Sequence, residues 1–232
     1  MKIVPIIPSL DPDFKLEKLV DELIKNDFKK IIIVDDGSND KTIFKKLEKK
    51  KEVVLLTHDV NYGKGKALKT AFTYYQENLS DDYLGVVCLD SDGQHKVSDT
   101  IKIGETLIKE DKFILGTRLF NTKETPLRNK TGNRITSTVF KMFYKVYLKD
   151  TQTGLRAIPN RLIPLHLNSK GERFEYEINA LIDLVLAKEE IIEVDIETVY
   201  LENSNKHSHF NPFKDSYRIY KVILNRRREG NE

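Results

Sequence analysis

The chain has 232 residues, of which 32% are charged and 39% hydrophobic, with a formal net charge of +3. This length can bury one sizeable core, the composition is ordinary for a globular protein, and so small an excess of base gives no argument for nucleic acid. The single Cys88 excludes an intrachain disulfide, the apolar start Met1 to Pro8 is too short and proline-rich for a signal peptide or a span, and no later run reaches spanning length.

Lys2 to Ile7 reads as a first strand, closed by Pro8-Ser9-Leu10-Asp11-Pro12, and Leu16, Leu19, Val20, Leu23 and Ile24 then recur at helical spacing over Phe14 to Asn26. Lys30 to Val34 is a second strand ending in Asp35-Asp36-Gly37-Ser38. A further helix precedes a third strand, Val53 to Thr57. Asn61-Tyr62-Gly63-Lys64-Gly65-Lys66 leads into a helix over Ala67 to Gln76. Its glycines could present backbone N–H groups to an anion, with Lys64 or Lys66 adding charge, or could form a plain tight turn. The spacing matches neither a dinucleotide fingerprint nor a Walker loop.

The apolar run from Leu84 stops at Asp90-Ser91-Asp92-Gly93-Gln94. If the chain is still extended there, Asp90, Asp92 and Gln94 point the same way and can share one cation. Oxygen ligands suit Mg2+ or Mn2+, whose shell is usually completed by water and substrate phosphate, so a phosphorylated substrate follows. A calcium loop counted from Asp90 fails, because its fifth and twelfth places hold Gln94 and Ile101. A helix over Val97 to Glu110 and a strand over Lys112 to Thr117 follow, the latter delivering Arg118 to the same sheet edge as a phosphate ligand. Strand and helix alternating in this way give an α/β fold with a mostly parallel sheet and right-handed crossovers.

The ordered set Ile7-Pro8-Ser9, Val34-Asp35-Asp36-Gly37-Ser38, Asn61-x-Gly63-Lys64-Gly65-x-Ala67-Leu68, Asp90-x-Asp92-Gly93-Gln94 and Gly116-Thr117-Arg118 resembles the family 2 glycosyltransferases of the GT-A fold. Among these it looks most like dolichyl-phosphate mannose synthases and bacterial polyprenyl-phosphate glycosyltransferases. The resemblance implies a Rossmann-like sheet and a nucleotide-sugar donor, UDP-linked by family preference, lying across the first strand ends. Pro8 and Ser9 would line base and ribose, Asp35 and Asp36 would bind the base, and Lys64 would join the donor site. Asp90 would contact donor and metal, and Asp92 and Gln94 would complete the metal site. It also implies transfer with inversion.

In the second half, Arg134-Ile-Thr-Ser137 resembles the stretch where an arginine and a serine face the lipid phosphate. Asp150-Thr-Gln-Thr153-Gly154-Leu155-Arg156 resembles an acceptor-side pattern in which an aromatic usually holds the place of Leu155. Residues 1–120 then form the donor and metal half and 121–200 the acceptor half of one catalytic domain, with 201–232 as a basic loop and C-terminal amphipathic helix. Glu175 lies where related enzymes place an acid near the acceptor, and His207 and His209 occupy a polar loop resembling one in bacterial members. His58 and His95 are weaker candidates.

Chemically, a divalent metal and Arg118 would stabilise a departing diphosphate. A lipid-phosphate nucleophile needs no strong base, and Arg134 and Arg156 would bind it. Asp150 would orient the arginines or meet the acceptor sugar. A sugar or polyol hydroxyl would instead need Asp150 or Glu175 as base. A non-catalytic nucleotide-sugar binding module is the reading from another class. Over Ile135 to Leu148, Val139, Met142, Phe143 and Val146 lie opposite Lys141, Lys145 and Lys149. That pattern fits a membrane-facing amphipathic helix or a core helix with snorkelling lysines. The expected partners are therefore the donor, a polyprenyl phosphate such as undecaprenyl phosphate, the membrane surface and a small integral membrane protein. The expected location is cytoplasmic, peripheral to the inner face of the cell membrane, with cell-wall or surface polysaccharide synthesis using the product.

Overall fold

The computed structural model describes residues 1–119, 127–197 and 221–226, with the side chains of 127–132 left out. Strands β1 (Ile3–Ser9), β2 (Ile31–Asp35), β3 (Val53–Thr57), β4 (Gly85–Cys88), β5 (Phe113–Arg118), β6 (Arg156–Pro159) and β7 (Ile191–Ile196) form one seven-stranded sheet in the order β3-β2-β1-β4-β6-β5-β7. The helices between them are α1 (Phe14–Lys25), α2 (Thr42–Leu47), α3 (Lys64–Asn78), α4 (Val97–Glu110), α5 (Leu127–Tyr144), α6 (Ile163–Asn168) and α7 (Glu175–Leu186).

The central strands are apolar on both faces because both faces are covered. On β1, Val4 and Ile6 enter one core with Ala71 and Phe72 of α3 and Leu181 of α7, while Ile3 and Ile7 enter a second with Leu16 and Leu23 of α1 and Ile103 of α4. Helix α1 is set by its buried stripe Leu16, Leu19, Val20 and Leu23, and by Asp13, whose carboxylate accepts the Lys15 N–H at 2.9 Å. The parallel pairing expected from the alternation holds for β1 with β2 and β4, and for β2 with β3.

Further along the sheet, which stays mostly parallel as expected, two pairings are antiparallel. The short strand β6, which sequence reading did not place, runs antiparallel between β4 and β5, and β7 closes the far edge parallel to β5. Two antiparallel steps leave β5 parallel to β4, so Arg118 still arrives at the edge where β1, β2 and β4 end. Because β6 runs the other way, the loop leading into it, residues 150–155, lies at that edge too.

Three local expectations are corrected. Helix α3 begins at Lys64 rather than Ala67, with Gly63 at φ 110° in the preceding position. Strand β4 ends at Cys88, and Asp90-Ser91-Asp92-Gly93 is a turn with Gly93 at φ 76°, so strand alternation is not what brings the two carboxylates together. Helix α5 ends at Tyr144, with Lys145 at φ 63°, instead of continuing to Leu148. Phe140 is buried and Val139, Phe143 and Val146 pack on the first core, so the side expected to face a membrane is largely a core side. Residues 221–226 are helical, with Ile223 buried in that same core.

Candidate active site

Four side chains from three segments meet beyond the end of β4. Lys64, on the first turn of α3, places Nζ 2.7 Å from Asp90 Oδ1 and 3.0 Å from Glu177 Oε1 of α7. Asp90 Oδ2 lies 3.2 Å from His95 Nε2. Burial alone would raise the Asp90 carboxyl, but Lys64 and His95 outweigh it and hold the group well below the usual carboxylate range. For Lys64 burial pulls downward, and Asp90 with Glu177 more than offset it, so the ammonium is held charged. Gly154 is packed so closely that a Cβ there would stand 2.4 Å from Asp90 Oδ2.

Asp92 has a different setting. Its Oδ1 accepts the Gln94 backbone N–H at 3.0 Å, and burial together with the neighbouring Asp90 charge pushes its carboxyl upward. Two crowded carboxylates with hard oxygen donors fit a divalent cation. Among the described residues no three His, Cys, Asp or Glu side chains gather into a cage for one. A cation held by Asp90 and Asp92 would therefore take most of its shell from elsewhere, as suits Mg2+ or Mn2+ with water and phosphate oxygens.

Arg118 enters from β5 and is gripped by Asp150, Nε to Oδ2 at 2.6 Å and NH2 to Oδ1 at 2.9 Å. Asp150 is fully buried and also accepts the Gln152 N–H at 3.1 Å. Asn133 of α5 ties the same loop down, donating to the Lys149 carbonyl at 2.6 Å and accepting the Thr151 N–H at 3.2 Å.

The remaining predicted residues fall into two groups. Asp35 and Asp36 are turned inward: Asp35 accepts the Ser38 N–H and pairs with Lys41, while Asp36 receives the N–H groups of Tyr62 and Gly63 at 3.0 and 2.8 Å and faces His58 Nδ1 at 2.7 Å. These contacts fix the loop that delivers Lys64. Arg156 is buried, donating to the carbonyls of Thr153, Glu177 and Thr151, so its guanidinium braces the 150–155 loop against α7. Glu175 accepts the N–H groups of Glu172 and Arg173 at the start of α7. Arg134 is exposed on α5, whereas Ser137 and Ser9 are buried with hydroxyls that have no hydrogen-bond partner among the described residues. Pro8 and Ser9 end β1 at the same edge as Asp90. His207 and His209 lie outside the described residues.

The sequence profile described as "Glycosyl transferase family 2" matches residues 6–167. The chain belongs to glycosyl transferase family 2. Among curated relatives of this glycosyltransferase, a UDP-N-acetylglucosamine–dolichyl-phosphate N-acetylglucosaminyltransferase of Methanococcus voltae is 32% identical over 219 residues, 86% of each chain. A dolichyl-phosphate beta-glucosyltransferase of Trichomonas vaginalis is 32% identical over 147 residues, 53% of this chain and 42% of that one. In three dimensions the enzyme is similar to glucosyl-3-phosphoglycerate synthase of Mycobacterium tuberculosis, solved with Mn2+, UDP and glucosyl-3-phosphoglycerate. The TM-score is 0.68 at 17% identity, with 97% of this chain and 79% of that one covered, which places the fold in the GT-A class.

Sequence reading missed Glu177 as a residue of this glycosyltransferase's site. It singled out the stretch Phe174-Glu175-Tyr176-Glu177 but chose Glu175, which accepts the N–H groups of Glu172 and Arg173, instead of the acid two residues further on that reaches Lys64. The signal was available: an acid in the first turn of α7, two residues from the chosen one, is the candidate for a cation on the facing loop.

Proposed function

We propose that this family 2 glycosyltransferase moves a hexose or N-acetylhexosamine, with inversion, from a UDP-linked donor to a polyprenyl phosphate. The observation that carries this is the match along 86% of the chain to an enzyme named for UDP-N-acetylglucosamine and dolichyl phosphate, combined with the Asp90 and Asp92 carboxylates at the donor edge. A divalent ion, Mg2+ or Mn2+, when bound there supplies positive charge to the leaving diphosphate. The chain's own residues do the rest. Asp150 fixes the Arg118 guanidinium at the same edge, where its positive charge acts on a phosphate group.

The acceptor reading follows from which carboxylates are committed. A sugar hydroxyl needs a general base; Asp150 is locked to Arg118, and Glu175 takes backbone N–H groups on Oε1, which leaves its buried Oε2 as the remaining candidate among the acids expected for that role. A phosphate monoester arrives ionised and needs only positioning, which exposed Arg134 provides. Arg134, Lys141 and Lys145 form an exposed basic row beside exposed Ile135 and Met142, a surface suited to a membrane interface on the cytoplasmic side. Among the described residues no helix is long and apolar enough to cross a membrane.

The test is transfer itself. Purified protein with Mn2+, radiolabelled UDP-N-acetylglucosamine or UDP-glucose and a polyprenyl phosphate is expected to yield labelled lipid, and Arg134→Ala to lose most of it. Label appearing on a free glycan hydroxyl and never on lipid phosphate overturns the acceptor.

A further inference from the structure

The Asp90 carboxylate, one of the two acids assigned to the proposed cation, is already occupied in the protein by itself. Lys64 holds one oxygen at 2.7 Å and His95 approaches the other at 3.2 Å. The ammonium is shared: Glu177 Oε1 also lies 3.0 Å from it, and the Lys64 and Glu177 side chains are largely buried. Glu177 belongs to α7, whose backbone at that residue is itself fixed by the Arg156 guanidinium on the Glu177 carbonyl at 2.7 Å. Asp90 is backed by Gly154, so the carboxylate has no room to retreat from Lys64 on that side.

Two carboxylates and one ammonium make an arrangement with two ways to satisfy the cation. We propose that Lys64 is a built-in counter-ion that blocks Asp90 until a divalent cation displaces it, and that Glu177 is the positioning residue that receives Lys64 when it leaves. This rests on the reading of Asp90 and Asp92 as the divalent-cation site. In the protein alone, the ammonium stands where the ion's first carboxylate ligand must be freed, so cation binding competes with an internal ion pair. Glu177 lowers the cost of that exchange, because the displaced ammonium passes to a second carboxylate already within hydrogen-bond distance instead of being left buried without a partner.

Mn2+ binding without nucleotide, followed by electron paramagnetic resonance of the free ion, tests this apart from catalysis. Lys64→Met is expected to tighten Mn2+ roughly tenfold, the worth of one charge-assisted hydrogen bond. Glu177→Gln is expected to weaken Mn2+ about as much, because Lys64 then has Asp90 alone. Lys66→Met, an exposed lysine two residues away, reports the general effect of one lost charge and is expected to change binding less than threefold.

The decisive comparison is the double variant. If Glu177 acts through Lys64, adding Glu177→Gln to Lys64→Met changes nothing further, whereas simple long-range attraction makes the two effects add. Additive effects, or a Lys64→Met variant that folds by circular dichroism and binds Mn2+ as the wild type does, would overturn the proposal while leaving the cation site intact. Absence of Mn2+ binding in every variant, even with UDP present, would remove the cation site and the proposal together.

Discussion

Arg118 and Asp150 are joined at two points, 2.6 and 2.9 Å, with the carboxylate wholly out of solvent. This pair links the end of β5 to the loop before β6 and holds the guanidinium at the sheet edge where β1, β2 and β4 end. Removing one partner leaves the other charge buried, at a cost of about 3–5 kcal/mol. Asp150→Ala is therefore expected to lower the unfolding free energy by about 3 kcal/mol in urea denaturation. Arg118→Lys keeps the charge but not the two-point fork, and should reduce kcat well beyond its effect on stability.

Gly154 makes a sharper separation of activity from folding. A methyl group there would press on Asp90 Oδ2 from 2.4 Å, and the carboxylate must turn or shift. A displacement of about 1 Å at a reacting centre can cost about a hundredfold in rate. Gly154→Ala is expected to cut sugar transfer by at least tenfold while shifting the melting temperature little. Full activity in steady-state kinetics would show that Asp90 need not hold its present position.

His166 gives a stability prediction outside the active site. It is buried near Phe72 and Phe113, neither ring nitrogen has a hydrogen-bond partner among the described residues, and burial, aided by the Arg156 charge, lowers its pKa to about 3. The folded protein keeps this histidine neutral while the unfolded chain takes up a proton below about pH 6.5. Stability attributable to it is thus present above that pH and lost as pH falls towards 3. Between about pH 7 and about pH 5.5 the loss is about 1 kcal/mol, and His166→Phe should remove that portion of the pH dependence in urea titrations.

The first half of the fold was legible because each strand up to β5 is an apolar run bounded by turn residues, and each long helix carries a buried stripe. Strand β6 was not: Arg156-Ala-Ile-Pro is four residues long, and its place between β4 and β5 depends on partners distant in sequence. At the site, residue types announced Asp90, Asp92 and Arg118, but not the direction of each side chain. Asp35 and Asp36, expected to bind the base, accept N–H groups of their own loops, a pairing that the sequence does not display. Arg156 read as a phosphate ligand and instead holds three carbonyls, and Glu177 was passed over because its partner lies 113 residues away. Pairings of this kind are set by tertiary packing, which spacing along the chain does not encode.

The central claim is that the turn after β4 is where cation and nucleotide meet. Crystals grown with UDP and Mn2+, with anomalous data collected at the manganese edge, address it directly. The expected result is one manganese peak bonded to the carboxylates of Asp90 and Asp92 and to diphosphate oxygens, with Lys64 moved off Asp90 towards Glu177. A bound UDP whose manganese lies away from both aspartates, or no manganese at all at this turn, would contradict the account.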